Sequence, residues 1–282
     1  MFAHAPVSTV HLLSCQEPGM SAVQLAEGEL NYLLEGPADA PVLVLSNSLG
    51  TDLHMWDAQI PAFTRHFRVL RYDTRGHGRS LVSEGPYSIE RNGRDVLALL
   101  DALHIDKVSF CGLSMGGLIG QWLAINAPER LERVVLCNTA SKIGTPEVWN
   151  PRIETVLRDG KDAMVALRDA SIARWFTPEF AVAEPARVEP IVGMLAQTSP
   201  QGYAANCAAV RDADFRDRIA SIDLPVLVVC GTQDAVTTPA DGRFMIERIQ
   251  GAQMIELHAA HLSNVEAGES FTRPVLAFLT GE

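Results

Sequence analysis

The chain has 282 residues, 47% of them apolar and 20% charged, with a formal charge of −11. That size and composition suit a globular protein whose core needs no disulfide or metal staple. The acidic balance lacks the basic footprint that nucleic-acid phosphates require, and no stretch reaches the roughly 20 apolar residues that cross a bilayer.

In chain order, residues 1–20, MFAHAPVSTVHLLSCQEPGM, have no basic segment ahead of an apolar one, so they read as a loose N-terminal extension and not as a secretory signal. Short β-branched runs then recur: ELNYLL, PVLVLS, FRVLRY, KVSFC, RVVLCN, LPVLVVC and QMIEL. The inner ones are continuously apolar, as parallel strands covered on both faces are. Between them, SIERNGRDVLALLDALHI predicts a helix with Ile89, Val96, Leu97, Leu100 and Leu103 on its apolar face. LIGQWLAINAPERL predicts another, closed by a proline. This alternation predicts an α/β fold, with a mostly parallel central sheet flanked by helices. The first runs, with their short links, fit an antiparallel edge.

From Lys142 to Arg218 the strand rhythm stops. The pattern there is helical and broken by Pro146, Pro151, Pro178, Pro185, Pro190 and Pro200. It predicts a helical cap over 142–218, inserted into a core built from 21–141 and 219–282. Five cysteines, an odd number without a C-x-x-C pair, point to a reducing cytoplasm; three of them close apolar runs.

GLSMGGLIG, Gly112 to Gly120, follows the apolar run VSFC. A strand–G-x-S-x-G–helix turn holds its serine in a strained conformation with the hydroxyl exposed. Ser114 is thus a candidate nucleophile, and the Met115 N–H a candidate oxyanion donor. A plain structural turn is the alternative at this point. VLVVCGTQDAVTTP places Asp234 in a turn beyond a strand, where ligands gather in open α/β sheets. Two of the eight histidines follow the last strand, in IELHAAHLSNVE. His261 is the candidate base; His258, nearer the strand, is its runner-up. Ser263 and Glu266 have capping-box spacing for a following helix. The order Ser, Asp, His suits this fold. His261 then takes the Ser114 proton, and Asp234 orients the imidazole.

NSLG, after PVLVLS, is the candidate oxyanion loop, with the Leu49 N–H as second donor and the Ser48 hydroxyl beside it. TRGHGRS lacks the P-loop and dinucleotide patterns and reads as a sharp turn with Asp73 and Arg75 paired or hydrogen-bonded. HAAH alone does not make a zinc site, so no metal or cofactor is expected.

GLSMGG, GTQDAVTTP and HAAHLSNVE together resemble the α/β-hydrolase superfamily. LSNSLGTDLHMWDAQ, FRVLRYDTRGHGRS, CNTASKIGTPEVWNPR and RWFTPEF narrow the resemblance to the bacterial 3-oxoadipate enol-lactonases. The resemblance spans nearly all of the chain from Ser21 on. It implies hydrolysis of a small anionic lactone to 3-oxoadipate in aromatic-acid catabolism. The triad carries over onto Ser114, Asp234 and His261, and the oxyanion donors onto Leu49 and Met115. An anionic substrate suits a local cation, for which the cap offers Arg152 and Arg174, with Trp149 and Trp175 as walls. Some relatives carry a fused decarboxylase domain; this chain is expected to act alone, and its homo-oligomeric state stays open. The rivals are a carboxylesterase, a cofactor-free perhydrolase, a carbon–carbon bond hydrolase, or a binding protein on a hydrolase scaffold.

Overall fold

The computed structural model describes residues 20–282 and the strand β1 at Leu13–Ser14; the rest of the expected extension, with Cys15, lies outside the described residues. β1 pairs antiparallel with β2 (Ser21–Leu25), and Met20 is buried against Leu33 and Leu53. β2 went unread in the sequence because SAVQL is short, polar at both Ser21 and Gln24, and lies toward the sheet's edge.

The remaining strands match the seven runs: β3 (Gly28–Glu35), β4 (Val42–Ser46), β5 (Arg68–Tyr72), β6 (Val108–Leu113), β7 (Leu131–Cys137), β8 (Val226–Gly231) and β9 (Gln253–Leu257). They form one nine-stranded sheet in the order β1-β2-β3-β5-β4-β6-β7-β8-β9. β1 to β3 run antiparallel, and β3 joins β5 antiparallel; all other pairings are parallel. β6 and β8 are buried along their whole length, as strands covered on both faces must be.

β5 lies on one side of β4 and β6 on the other, so the winding reverses direction at β4. Such a reversal leaves a crevice beyond the carboxyl ends of the strands. Four segments open into that region: the loops after β4, β8 and β9, and the turn after β6.

Three core helices are short or regular: α1 (Ile60–Phe63), α2 (Ile89–Ala102) and α3 (Met115–Asn126). Ser88 caps α2 by accepting from the Arg91 N–H at 3.1 Å. The buried face of α2 is rotated from the one expected. Ile89, Val96 and Leu100 are buried, Leu99 takes the place of Leu97, and Leu97 and Leu103 are only half-buried. Two polar side chains explain the rotation. Asn92 and Asp95 also face inward, bonded to Asn206 and Arg75. An apolar count cannot foresee a polar residue on the core face.

Five helices fill the connection between β7 and β8: α4 (Pro146–Asp159), α5 (Lys161–Trp175), α6 (Pro178–Ala183), α7 (Pro185–Gln197) and α8 (Pro200–Asp212). Four of the six prolines start these helices rather than break them. Pro146, Pro178, Pro185 and Pro200 sit in the first turn, where the missing N–H has no partner to lose. Pro151 and Pro190 lie inside α4 and α7. The chain ends in α9 (Pro239–Ile246), α10 (Ser263–Glu266) and α11 (Glu269–Thr280). None of the helices described is long and apolar enough to cross a membrane.

Candidate active site

Ser114 sits between β6 and α3 with φ 58° and ψ −112°, a region side chains rarely occupy. Such a residue costs about 1–3 kcal/mol and persists only where its surroundings dictate it. Here they do. Its N–H donates to Cys137 O at 2.9 Å, and its carbonyl accepts from Thr139 Oγ1 at 2.8 Å and from the Leu118 N–H at 3.1 Å. The flanking glycines are required by contact. A Cβ at Gly112 would meet Gly116 O at 2.1 Å, and one at Gly116 would meet Ser46 O at 2.3 Å.

His261 and Asp234 converge on this serine. His261 Nε2 lies 2.8 Å from Ser114 Oγ, and His261 Nδ1 lies 2.8 Å from Asp234 Oδ2. With an acidic partner on Nδ1 and a hydroxyl on Nε2, the neutral ring carries its proton on Nδ1 and presents a free lone pair to the serine. His258 is exposed, its ring 3.2 Å from Gln233 Nε2, and takes no part.

Burial pushes the Asp234 carboxyl up, but the His261 imidazole, Asn138 and Thr237 outweigh it and hold the group at about 2. The donors are the Val236 and Thr237 N–H groups on Oδ1 at 2.8 and 3.0 Å, with Thr237 Oγ1 and Asn138 Nδ2 on Oδ2 at 2.8 and 3.0 Å. Thr237 is visible in the acid's own turn. Asn138 is not; its one sequence signal is its place just beyond a strand's end, in RVVLCN.

The expected capping box does not form. Leu262, not Ser263, occupies the cap of α10. The Ser263 hydroxyl instead donates to Asn138 Oδ1 at 2.5 Å. Glu266 Oε2 accepts from the Ala260 N–H at 2.9 Å, and the Glu266 carboxylate also binds Thr177 at the start of α6. Asn138, Thr177 and the Ala260 N–H have taken both side chains from the capping motif, and these bonds brace the loop that carries His261.

β4 and β6 are parallel neighbours, with Ser46 opposite Gly112, so the loop after β4 lies against the turn at Ser114. The Gly116 N–H donates to Asn47 O at 3.0 Å and ties the two together. The N–H groups of Leu49 and Met115 have no hydrogen-bond partner among the described residues. Next to Leu49, the Gly50 N–H donates to His77 Nε2 at 2.9 Å. His77 lies in the TRGHGRS turn. Asp73 and Arg75 of that turn are hydrogen-bonded but not to each other. Asp73 accepts from the Leu53 and Arg79 N–H groups, and Arg75 pairs with Asp95 at 2.5 and 2.7 Å.

Burial holds His77 down at about 4, against a modest opposing pull from the Arg75 carbonyl. The unfolded chain therefore binds this proton near 6.5, before the folded one does. The buried neutral ring thus lowers stability progressively below pH 6.5, by up to ~3 kcal/mol at pH 4. Urea unfolding at pH 7 and pH 4.5 should show His77→Gln losing about 2 kcal/mol less stability between the two than the unaltered chain. Equal losses would refute this.

A cavity of about 290 Å³ opens over Ser114 and His261. Ser48 and Leu49 line it on the loop side, and Trp149, Arg152, Arg174 and Trp175 line it from the five-helix segment. Tyr203 of α8 lines it as well and was not foreseen. The Trp149 indole is fixed by its bond to Ile143 O at 2.8 Å, and the Arg152 guanidinium lies 5.0 Å from its ring centre. Burial and the nearby Arg152 charge lower the Arg174 pKa. Neither Arg152 nor Arg174 forms an ion pair with a carboxylate among the described residues. Two like charges thus line the same cavity as a hydroxyl that can pass its proton to a base.

Known proteins show the same arrangement of the chain. The family described as alpha/beta hydrolase fold matches residues 41–166. The 3-oxoadipate enol-lactonase 2 of Acinetobacter baylyi is 47% identical over 250 residues, covering 89% of this chain and 92% of that protein. The crystal structure of the enol-lactonase from Burkholderia xenovorans LB400 superposes with a TM-score of 0.87 at 50% identity, covering 89% and 96% of the two chains. That of a hydrolase from Pseudomonas aeruginosa PA01 gives 0.89 at 48% identity, covering 93% and 98%. At that level of identity over nearly the whole length, the chain is a hydrolase and belongs to the α/β-hydrolase family, alongside the bacterial enol-lactonases.

Proposed function

We propose that this hydrolase opens 3-oxoadipate enol-lactone to 3-oxoadipate, in the catabolism of aromatic acids. The reading rests on one observation above all. One small cavity is lined both by Ser114 and His261, with Asp234 behind the imidazole, and by two arginines that have no carboxylate partner among the described residues. That cavity suits a compact lactone that carries a carboxylate arm.

Ser114 Oγ attacks the lactone carbonyl while His261 Nε2 accepts its proton, and Asp234 stabilises the imidazolium. The negative oxygen of the tetrahedral intermediate is met by the Leu49 and Met115 N–H groups, which have no partner of their own among the described residues. The ring C–O bond then breaks, and the enolate oxygen takes the proton from His261. The enol tautomerises to the ketone, which keeps the ring from closing again. Water attacks the acyl-enzyme by the same route and restores Ser114. Residues 142–218 act as the cap, holding the substrate carboxylate against Arg152 and Arg174, with Trp149 and Trp175 as walls. Ser48 offers a further hydroxyl contact.

Turnover of purified protein on enol-lactone, p-nitrophenyl acetate and a ring-cleavage diketone is the test. A kcat/KM for the enol-lactone about 10²-fold or more above the others is expected, because charged hydrogen bonds are worth about 1.5–3 kcal/mol. Preference for the neutral ester would make the chain a carboxylesterase instead. The same energy sets a second expectation. Arg152→Ala should raise KM for the enol-lactone about 10- to 100-fold and leave p-nitrophenyl acetate turnover within about threefold. Equal losses on both substrates would remove the carboxylate contact.

A further inference from the structure

We propose that His77 is a positioning residue for the oxyanion loop. Its Nε2 accepts the Gly50 N–H and thereby fixes the orientation of the Leu49 N–H. This deepens the hydrolase reading and rests on it.

The peptide plane before Leu49 is held by two hydrogen bonds and the plane after it by one. Ser48 O, in the plane before it, accepts from the Thr51 N–H at 3.2 Å and from Thr51 Oγ1 at 2.9 Å. The Gly50 N–H, in the plane after it, donates to His77. Together these set the backbone dihedrals of Leu49. Without the histidine, the second plane would be free to turn about the Leu49 backbone. One plane further back, Asn47 O accepts from the Gly116 N–H at 3.0 Å and the Ser48 N–H makes a weak contact with Met55 Sδ at 3.3 Å, and neither bond holds the plane after Leu49. Sulfur is a poor acceptor.

His77 is itself rigidly placed. It is fully buried, and accepting at Nε2 puts its proton on Nδ1, which faces Arg75 O at 3.4 Å. Asn206 of α8 spans the same carbonyl, donating to Arg75 O at 2.7 Å, and its Oδ1 accepts from Asn92 Nδ2 at 2.9 Å. The turn and α8 touch backbone to backbone. A Cβ at Gly76 would meet Gly202 Cα at 2.7 Å, and one at Gly202 would meet Gly76 O at 2.3 Å. The histidine therefore ties the loop after β4 to a turn packed backbone to backbone against α8. It is not among the residues that line the cavity over Ser114, so its effect passes through Leu49.

The test compares His77→Gln, whose side-chain amide reaches the Nε2 position, with His77→Asn, which falls short of it. Each is measured for kcat and KM on p-nitrophenyl acetate. Each is also measured for Ki of a trifluoromethyl ketone, whose carbonyl becomes a tetrahedral oxyanion when Ser114 adds and His261 takes the proton. Adipate supplies a ground-state probe that makes no oxyanion. Misplacing one oxyanion donor should cost about 10- to 100-fold. For His77→Asn, kcat falls and the ketone Ki rises by that factor, while KM and adipate affinity stay within about threefold. His77→Gln should keep both kcat and Ki within about fivefold of the unaltered enzyme. An unaffected His77→Asn, or ketone and adipate affinities that fall together in both variants, overturns the proposal. A ¹⁵N–¹⁵N coupling across the Gly50–His77 bond is expected in the labelled wild type, and its absence overturns the proposal however the variants fold. A wild type that ignores the ketone overturns the hydrolase reading as well, whereas an intact wild type with an unaffected His77→Asn overturns this inference alone.

Discussion

Ser114→Ala is expected to lower kcat by about 10⁴-fold or more, with the fold intact. The hydroxyl is the group placed 2.8 Å from the His261 lone pair, and removing it leaves the base nothing to activate. On the proposed mechanism, what remains is the modest effect of the Leu49 and Met115 N–H groups on direct attack by water. The fold should survive because alanine and serine face the same backbone strain at φ 58°, and the bonds that hold that backbone are main-chain bonds and one from Thr139. Burst titration with p-nitrophenyl acetate and far-UV circular dichroism check both halves. A folded variant that keeps a tenth of the rate would exclude a serine nucleophile.

Asp234→Asn should cost about 10⁴-fold in kcat for a different reason. The carboxylate accepts four protein hydrogen bonds beside the one to the imidazole. An amide in its place must turn one N–H toward a donor. With its NH₂ toward His261, it forces the imidazole proton onto Nε2, where it blocks the serine. The pH dependence has a definite sign. A carboxyl held at about 2, below its usual 3.8, stabilises the folded chain above pH 3.8, and that contribution is lost as pH falls through 2. Asp234 is ionised throughout the working range, so the acid limb of a pH–rate profile should not move with it. Single-turnover rates between pH 5 and 9 test this. Asp234→Asn should be slow at every pH, and recovery of its rate at either extreme would contradict the tautomer argument.

The strands were legible because each carries its signal locally, in a few consecutive β-branched residues. The five-helix segment was legible as an interruption, though its prolines turned out mostly to begin helices. The Asp234 and Ser114 turns announced themselves by glycines next to a polar residue at a strand's end. His258 and His261 offered no such local distinction. In the structure one is exposed and the other buried against partners 27 and 147 residues away. The capping spacing of Ser263 and Glu266 misled for the same reason. Asn138 and Thr177, far away in the chain, drew those side chains off the cap of the helix.

The sequence by itself determined the alternation of strand and helix, the order serine, acid, histidine, and the glycines that let backbone pass backbone at Ser114. These follow from steric rules acting over a few residues. Only the tertiary structure decided which histidine reaches the serine and how Asn138 and Glu266 brace it. It alone brought the arginines of the five-helix segment into the cavity and set a buried histidine from a remote turn behind the loop after β4. Those are contacts between residues far apart in the chain. Their distances depend on how the whole sheet twists and packs, which no local pattern encodes.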